Sequence, residues 1–311
     1  MKLEAPFIQL PLIFDAPELA AEVGRLGEAC WRPHPAGYPG NSMLPLIAVE
    51  GNPADEAFAG CMKPTQELLN SPYLMHALGS LGATLGRTRL MRLAGHAEVI
   101  RHVDQGYYWV DRVRVHIPII TQPTVRFECG DQAINMGEGE CWIFDTWRQH
   151  RVVNDATQSR IHLVADTVGG DQFWRMVAMS RSGQAEPKRV NRLPDKSDCS
   201  DLAYETINVP QVMTPWEMKA HFALLLGDAL PHPKLDEVRH RCNLFVRAWL
   251  GLWARFGDGD AGAPHYKKLL DTFVADIRVS SETLLLRNEI LWFRAMGSII
   301  AKGALSSSYV R

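Results

Sequence analysis

The sequence predicts an all-β core, a cupin-like jelly roll or double-stranded β-helix, with flanking helices and a mainly α C-terminal region. Between Arg87 and Thr167, eight short runs rich in Val, Ile, Thr and aromatic residues follow at roughly ten-residue spacing, with no helical pattern between them. After Pro215, Leu, Phe, Trp and Ile recur at helical spacing instead. Short consecutive strands favour an antiparallel sandwich or barrel over βαβ units.

Composition limits the class of protein. The chain has 311 residues, 46% of them apolar, enough for a buried core in one large domain or two modest ones. A formal net charge of -2 removes the general electrostatic case for a nucleic-acid partner. The first residues lack a basic region followed by an apolar run, and no stretch of about 18 apolar residues occurs. We therefore expect a cytoplasmic protein without a membrane span. The six scattered cysteines form no C-x-x-C pair, which favours reduced thiols.

The N-terminal segment is predicted to be helical and then irregular. Apolar residues recur at helical spacing from residue 16 to 30, so a helix is expected to open the chain. The Gly-, Pro- and Asn-rich stretch 31–59 is predicted to be an ordered loop. A second helical segment is predicted for residues 64–82, with a break near Pro72.

The eight runs predicted to be strands are RTRLMRL, AEVIRH, RVRVHIPII, TVRFEC, QAINM, CWIFD, RQHRVVN and SRIHLVAD. A polar connection at residues 180–210 leads to helices predicted at 215–226, 235–256, 266–277 and 282–302, with a frayed tail at 303–311. The composition shift predicts two regions. Residues 1–190 would form the β domain with its N-terminal helices, and residues 191–311 the helical region.

Three residues form a candidate metal site. His102 and Asp104 lie two residues apart, and alternation along a strand lets both side chains point to one side of a strand end. A distant third residue, His150, can complete the set. Two imidazoles and one carboxylate leave positions open on an octahedral ion, the arrangement that suits non-haem Fe(II). A His-x-Asp pair alone is a weak signal, because chance pairs are common.

A cationic strand face lies between these ligands. Arg112, Arg114 and His116 alternate with apolar residues, so one face is cationic and the other apolar. Buried guanidinium groups need anions, either internal carboxylates or those of bound small molecules; the alternative is a face exposed to solvent. Arg160 offers a planar fork that can bind a carboxylate bidentately. His162 shares its face and either lines the pocket or is a hydrogen-bonded core residue.

The segment between Arg89 and Asp166 contains HVD, RVRVHIPI, GEGECWIFDTWRQH, VVN and RIHLVAD in that order. In this order the motifs resemble the aspartyl/asparaginyl β-hydroxylase family of Fe(II)- and 2-oxoglutarate-dependent dioxygenases, which includes bacterial cis-proline hydroxylases. The resemblance implies a double-stranded β-helix, with dioxygen and 2-oxoglutarate as co-substrates. The animal protein hydroxylases have Gly at the position of Asp104, whereas the free-amino-acid hydroxylases keep the Asp. This difference argues against a direct transfer of a protein-aspartate substrate.

The resemblance also implies roles for particular residues. His102, Asp104 and His150 would hold Fe(II), and Arg160 would bind the distal carboxylate of 2-oxoglutarate. Arg114 and His116 would face the co-substrate or the substrate in the same pocket.

We accordingly expect hydroxylation of a C–H bond in an amino acid or a substrate that contains one. The cationic face predicts a small-molecule or peptide substrate bearing a carboxylate read by Arg112 and Arg114. The alternatives are a hydroxylase of Asp or Asn residues in a protein or peptide, and a cupin-like metabolite-binding protein without oxygenase activity. The C-terminal helices are expected to act as a lid or to support a homodimer.

Overall fold

The computed structural model of the chain describes residues 1–191 and 202–306. They form two compact units. The first comprises residues 1–103 and 111–208, and the second comprises residues 104–110 and 209–311. No helix in the described ranges is long and apolar enough to cross a membrane. Five cysteines in these ranges are free thiols, and Cys199 lies outside them.

Two antiparallel sheets form the core of the first unit. The larger sheet contains β1 Phe7–Leu10, β3 Arg32–Pro33, β4 Asn41–Val49, β5 Met62–Pro64, β6 Thr84–Leu93, β8 Val113–Ile120, β11 Cys141–Phe144 and β13 Arg160–Gly169. Their order is β1-β11-β8-β13-β6-β4-β3, with β5 paired to β4. The smaller sheet contains β7 Glu98–His102, β9 Val125–Cys129, β10 Gln132–Ile134 and β12 His150–Asn154, in the order β10-β9-β12-β7. A separate parallel pair joins β2 Leu12–Phe14 and β14 Lys188–Val190.

The helices are α1 Ala16–Leu26, α2 Gln66–Leu69, α3 Pro72–Gly79, α4 Tyr107–Val110, α5 Asp171–Arg181, α6 Pro215–Gly227, α7 Leu235–Phe256, α8 Ala263–Ser281 and α9 Trp292–Met296. A π-helical turn, Gly297–Ala301, continues α9. In the second unit, Phe222, Phe245 and Phe273 from α6, α7 and α8 stack in one aromatic cluster. Trp216 and Val279 are exposed apolar residues on these helices.

The two faces of the larger sheet have different environments. Val113, Val115 and Ile117 of β8 pack into the apolar core shared with α1, α3 and α5. The alternate residue His116 packs its ring edge against Phe127 of the smaller sheet and Phe144 of β11. The strand period therefore sends the cationic face of β8 into the space between the two sheets.

This architecture confirms the predicted all-β core with flanking helices and a helical C-terminal region. All eight predicted strands between residues 87 and 167 are present, and the break in the second helical segment separates α2 from α3. Three of the predicted C-terminal helices correspond to α6, α7 and α8.

Four local predictions are wrong. Helix α1 covers most of the predicted segment 16–30, but it does not open the chain, because residues 7–14 first pair with β11 and β14 as β1 and β2. Stretch 31–59 contains the long strand β4, which pairs with β6 despite its internal proline. Residues 282–291 are not helical, since they form turns and isolated bridges before α9. The tail does not fray at its start, because Ala304 is buried and accepts a hydrogen bond from Met213; residues 307–311 lie outside the described ranges.

Candidate metal centre

The His-Asp-His set comes together at one end of the smaller sheet. His102 ends β7 and His150 begins β12, and the two residues are direct partners in the strand register. Their rings lie 4.2 Å apart between centroids. Asp104 follows two residues after His102, and one ligand atom from each of the three residues lies within 4.8 Å of the others. This is the spacing at which one cation can contact all three groups.

Local hydrogen bonds select the tautomer of both histidines. His102 Nδ1 lies 2.8 Å from the carbonyl oxygen of Ile100, and His150 Nδ1 lies 2.9 Å from that of Arg148. A carbonyl oxygen can only accept, so each Nδ1 carries the proton and donates it. Each Nε2 therefore keeps its lone pair for a metal ion, as imidazole ligands require.

Asp145 organises the turn that presents His150. Its carboxylate is fully buried and accepts hydrogen bonds from the Trp147 amide at 2.9 Å and from Arg148 Nε at 3.0 Å. Burial raises the pKa of this carboxyl, although these hydrogen bonds oppose the effect. Because the Arg148 carbonyl in turn holds His150 Nδ1, Asp145 supports the orientation of the imidazole from two steps away.

Arg160 is a buried cation that faces the space between the sheets. It is only 4% exposed, and its Nε and Nη1 atoms have no hydrogen-bond partner among residues 1–191 and 202–306. Burial lowers the pKa of its guanidinium to about 10, so the group remains charged at neutral pH. A buried charge with open donors is unfavourable unless an anion binds it.

His116 and His162 form a pair beside this arginine. Their Nδ1 atoms lie 3.3 Å apart, and both rings are buried. Desolvation, reinforced by the charge of Arg160, holds both pKa values well below 6.5. Both imidazoles are therefore neutral at physiological pH, and one Nδ1 donates to the other.

The arginines of the cationic strand contact internal carboxylates, one of the alternatives that the sequence left open. Arg114 Nε donates to Asp166 Oδ1 at 3.0 Å across the β8–β13 register. Arg112 makes a bidentate contact with buried Glu205, with Nε–Oε1 at 2.8 Å and Nη2–Oε2 at 2.9 Å. Neither side chain lies on a solvent-facing side of the sheet.

Sequence reasoning missed further charged residues in the same interior. Asp166 also lies 3.9 Å from Arg87, and buried Arg89 follows two residues later on β6. Desolvation lowers the pKa of His34 to about 4, and the charges of Arg89 and Arg87 add to the effect. The alternation of RTRLMRL on β6, the same period-two pattern as in RVRVH, would have identified Arg87 and Arg89.

Comparison with known proteins agrees with this geometry. Residues 47–170 match the model of the family described as Aspartyl/Asparaginyl beta-hydroxylase. Residues 47–170 are therefore similar to this family. The match includes both sheets' central strands and every residue of the His-Asp-His set, and it confirms the expected enzyme class, a hydroxylase. Among curated proteins, none matches the chain significantly.

Solved structures resemble the hydroxylase domain only distantly. A 2OG-Fe(II) oxygenase family oxidoreductase from Burkholderia pseudomallei has 16% identity and a TM-score of 0.38, over 54% of this chain and 88% of that chain. A prolyl-4-hydroxylase from Pseudomonas putida has 16% identity and a TM-score of 0.37, over 53% and 92%. A cupin domain from Bordetella pertussis has 14% identity and a TM-score of 0.22, over 28% and 93%. Likeness at this level carries no functional argument, which rests on the family match and the site.

Proposed function

We propose that this protein is an Fe(II)- and 2-oxoglutarate-dependent dioxygenase that hydroxylates a C–H bond of an amino acid or of a substrate containing one. The observation that carries the proposal is the convergence of His102, Asp104 and His150 ligand atoms within 4.8 Å, with both histidines in the tautomer that ligates through Nε2. The match of residues 47–170 to a hydroxylase family supports it.

The donor set suits Fe(II). Two neutral imidazoles and one carboxylate offset a single charge of a divalent ion and leave coordination positions for a co-substrate and dioxygen. Bound there, iron would supply the chemistry by which dioxygen oxidises both 2-oxoglutarate and the substrate: one oxygen atom would enter succinate as carbon dioxide is lost, and the other would enter the substrate as the hydroxyl group. The protein's own contribution is to hold, orient and shield these reactants.

Arg160 is the proposed anchor for the distal carboxylate of 2-oxoglutarate. Among the described residues its Nε and Nη1 donors have no partner, and they lie on different edges of the guanidinium, so a carboxylate could engage either edge together with Nη2. Burial of the side chain strengthens such a contact. His116 and His162 lie in the same wall, where one Nε2–H can donate while the other Nε2 can accept. Because both imidazoles are neutral, Arg160 is the charged member of this group of three side chains.

The substrate is proposed to carry a carboxylate near the cationic strand. Arg114 is the better candidate to contact it, since its side chain keeps 13% exposure beside Asp166. Arg112 stays a candidate by sequence, but Glu205 already provides its guanidinium with a bidentate partner. A free amino acid, or a peptide, would satisfy this requirement; the presence of Asp104 favours the free amino acid.

Metal and co-substrate binding test the proposal. Under anaerobic conditions, calorimetry of the metal-free protein should detect one Fe(II) per chain, and then one 2-oxoglutarate only after Fe(II) is bound. His150→Ala removes one of three ligands, so stoichiometric iron binding should be lost. Arg151→Ala, at the half-buried neighbour on β12 that pairs with Glu128, is the matched control and should bind iron normally. A wild-type protein that binds no iron, or a His150→Ala variant that binds it fully, would refute the assignment.

Substrate identity is tested by mass spectrometry. The protein is incubated with Fe(II), 2-oxoglutarate, oxygen and a panel of free amino acids and short peptides, and products are screened for the gain of one oxygen atom. We expect carboxylate-bearing small molecules to be hydroxylated. Efficient hydroxylation of a neutral compound would contradict the carboxylate requirement.

A further inference from the structure

The segment that carries Asp104 belongs to the helical unit. Residues 104–110 group with residues 209–311 rather than with the strands that precede and follow them along the chain. The segment consists of a loop and the four-residue helix α4, with Gly106 at φ 135°, a backbone conformation that favours glycine. A loop followed by a single helical turn cannot order itself, because so short a helix is unstable alone.

Tyr107 attaches this segment to α6. Its hydroxyl donates a hydrogen bond of 2.6 Å to Glu217 Oε1, and Glu217 lies in the first turn of α6. His221, one turn further along α6, places its Nε2 3.6 Å from the same carboxylate oxygen, and its ring lies edge-on to the Tyr107 ring at 5.8 Å. Glu217 therefore contacts both Tyr107 and His221, and the two rings contact each other.

The Tyr107 ring also lies close to Gly303, which follows the π-helical turn. A Cβ atom added to Gly303 would lie 2.6 Å from Tyr107 Cδ2, 2.7 Å from Cγ and 2.6 Å from the Ile299 carbonyl oxygen, well inside van der Waals contact. Both the ring and the backbone therefore need a glycine at residue 303. Contacts from α6 and close to Gly303 fix the position of Tyr107, three places after Asp104.

We propose that Tyr107 and Glu217 are positioning residues for Asp104, the carboxylate of the metal centre. This inference rests on the proposed function, because it assigns the segment a role only if Asp104 is a metal ligand. Without the Tyr107–Glu217 contact, ordering the loop would oppose each binding event, and metal affinity would fall although all three ligands are present. Tyr107 and Glu217 then hold one ligand in place.

The test measures metal affinity, not turnover. The dissociation constants for Co(II) and Fe(II) are determined by anaerobic calorimetry, and the visible spectrum of the Co(II) form reports ligand geometry. Tyr107→Phe, which deletes only the hydroxyl, should raise the dissociation constant by roughly tenfold. This is the lower end of the loss in metal affinity seen when residues that support metal ligands are mutated. The Co(II) spectrum should change as well.

The matched control is Tyr266→Phe. Tyr266 is a buried tyrosine of the same unit whose hydroxyl donates to the Gly257 carbonyl at 2.8 Å, away from residues 104–110. It removes an equivalent hydrogen bond, so a general loss of helical stability would appear in both variants. We expect the metal affinity of Tyr266→Phe to stay within about twofold of the wild type, because mutations at distant sites that share no partner act independently.

Replacements of Glu217 separate positioning from folding. Glu217→Gln keeps an oxygen acceptor for Tyr107 and should retain near-normal affinity, whereas Glu217→Ala should weaken it like Tyr107→Phe. The double variant Tyr107→Phe/Glu217→Ala should be no weaker than the worse single variant, because both remove one interaction. Gly303→Ala should also weaken binding, because its Cβ would displace the Tyr107 ring; the same Cβ would meet the Ile299 carbonyl oxygen, so this variant supports Tyr107→Phe and does not replace it.

Three results would overturn the inference. If the wild type binds metal and Tyr107→Phe and Glu217→Ala bind it equally well, positioning by Tyr107 and Glu217 is wrong while the proposed function stands. If the wild type binds no metal, the proposed function fails and the inference fails with it. Equal weakening by Tyr266→Phe and Tyr107→Phe would also overturn it, since the effect would then reflect stability alone.

Discussion

At the scale of single residues, Arg160 begins β13 as a buried guanidinium with two open donors. Arg160→Ala removes a charge-assisted contact worth roughly 1.5–3 kcal/mol, so the affinity for 2-oxoglutarate should fall roughly ten- to a hundredfold. Arg160→Lys should recover part of it, because an ammonium group cannot copy the planar fork. Calorimetric titration of the iron-loaded protein measures the change. The control is Arg126→Ala at an exposed arginine, which should leave the affinity for 2-oxoglutarate unchanged. An unchanged affinity in Arg160→Ala would exclude Arg160 as the anchor.

The neutral pair of buried histidines predicts a pH dependence of stability. The pKa values of His116 and His162 lie well below 6.5 in the folded state, so below about pH 6.5 the unfolded chain binds protons that the folded chain does not. Stability therefore falls as the pH drops below 6.5, by about 1.4 kcal/mol per pH unit for each histidine. The test is urea unfolding of the metal-free protein between pH 6.5 and 5. His162→Gln should reduce the dependence of the free energy of unfolding on pH by the contribution of one histidine, about 1.4 kcal/mol per pH unit. Equal slopes in both proteins would contradict the neutral pair.

Residue types and spacing predicted much of the candidate site. His102, Asp104 and His150 were identified because His-x-Asp is the pattern that two ligands need at a strand end. Sequence could not predict Asp166 as the partner of Arg114, since the two residues meet only through the β8–β13 register. Pairing across strands depends on topology, which no local pattern contains.

At the scale of elements, the Arg112–Glu205 contact joins the residue just before β8 to the segment around Glu205. The same segment pairs with β6 through Tyr204 and Leu85. Glu205 is 4% exposed, and its backbone amide donates to the Leu85 carbonyl. Arg112→Ala would leave this carboxylate buried without its cation, so the free energy of unfolding should fall by about 3–5 kcal/mol. Arg126→Ala, which breaks the exposed pair with Asp155, should cost less than about 1 kcal/mol. Urea unfolding compares them, and a loss below 1 kcal/mol for Arg112→Ala would contradict a structural role.

The local sequence pattern predicted the central strands correctly but not β4 or residues 282–291. The eight central strands have period-two alternation, because one face packs on helices and the other lies between the sheets. β4 was missed because turn residues surround it and Pro45 interrupts it, yet a β-bulge in its pairing with β6 accommodates the proline. Residues 282–291 carry apolar residues at helical spacing, but the turn and bridge of Leu285 with Leu291 form instead.

At the scale of the whole molecule, the matched hydroxylase region covers residues 47–170, and α6 to α9 lie outside it. The composition shift near residue 190 indicated a helical region but gave no sign that residues 104–110 group with it. That grouping depends on contacts far apart in sequence. Homodimer formation through the C-terminal helices stays a prediction, which the mass of the protein in solution would test.

The central claim is oxidative chemistry that depends on iron, 2-oxoglutarate and oxygen together. The most direct measurement is succinate formed from 2-oxoglutarate by the full chain, with a panel of carboxylate-bearing amino acids and with Fe(II) or oxygen omitted in turn. We predict succinate only when both are present, and none from His150→Ala. Succinate that persists without oxygen or in His150→Ala, or a wild-type protein that forms none under any of these conditions, would contradict the account.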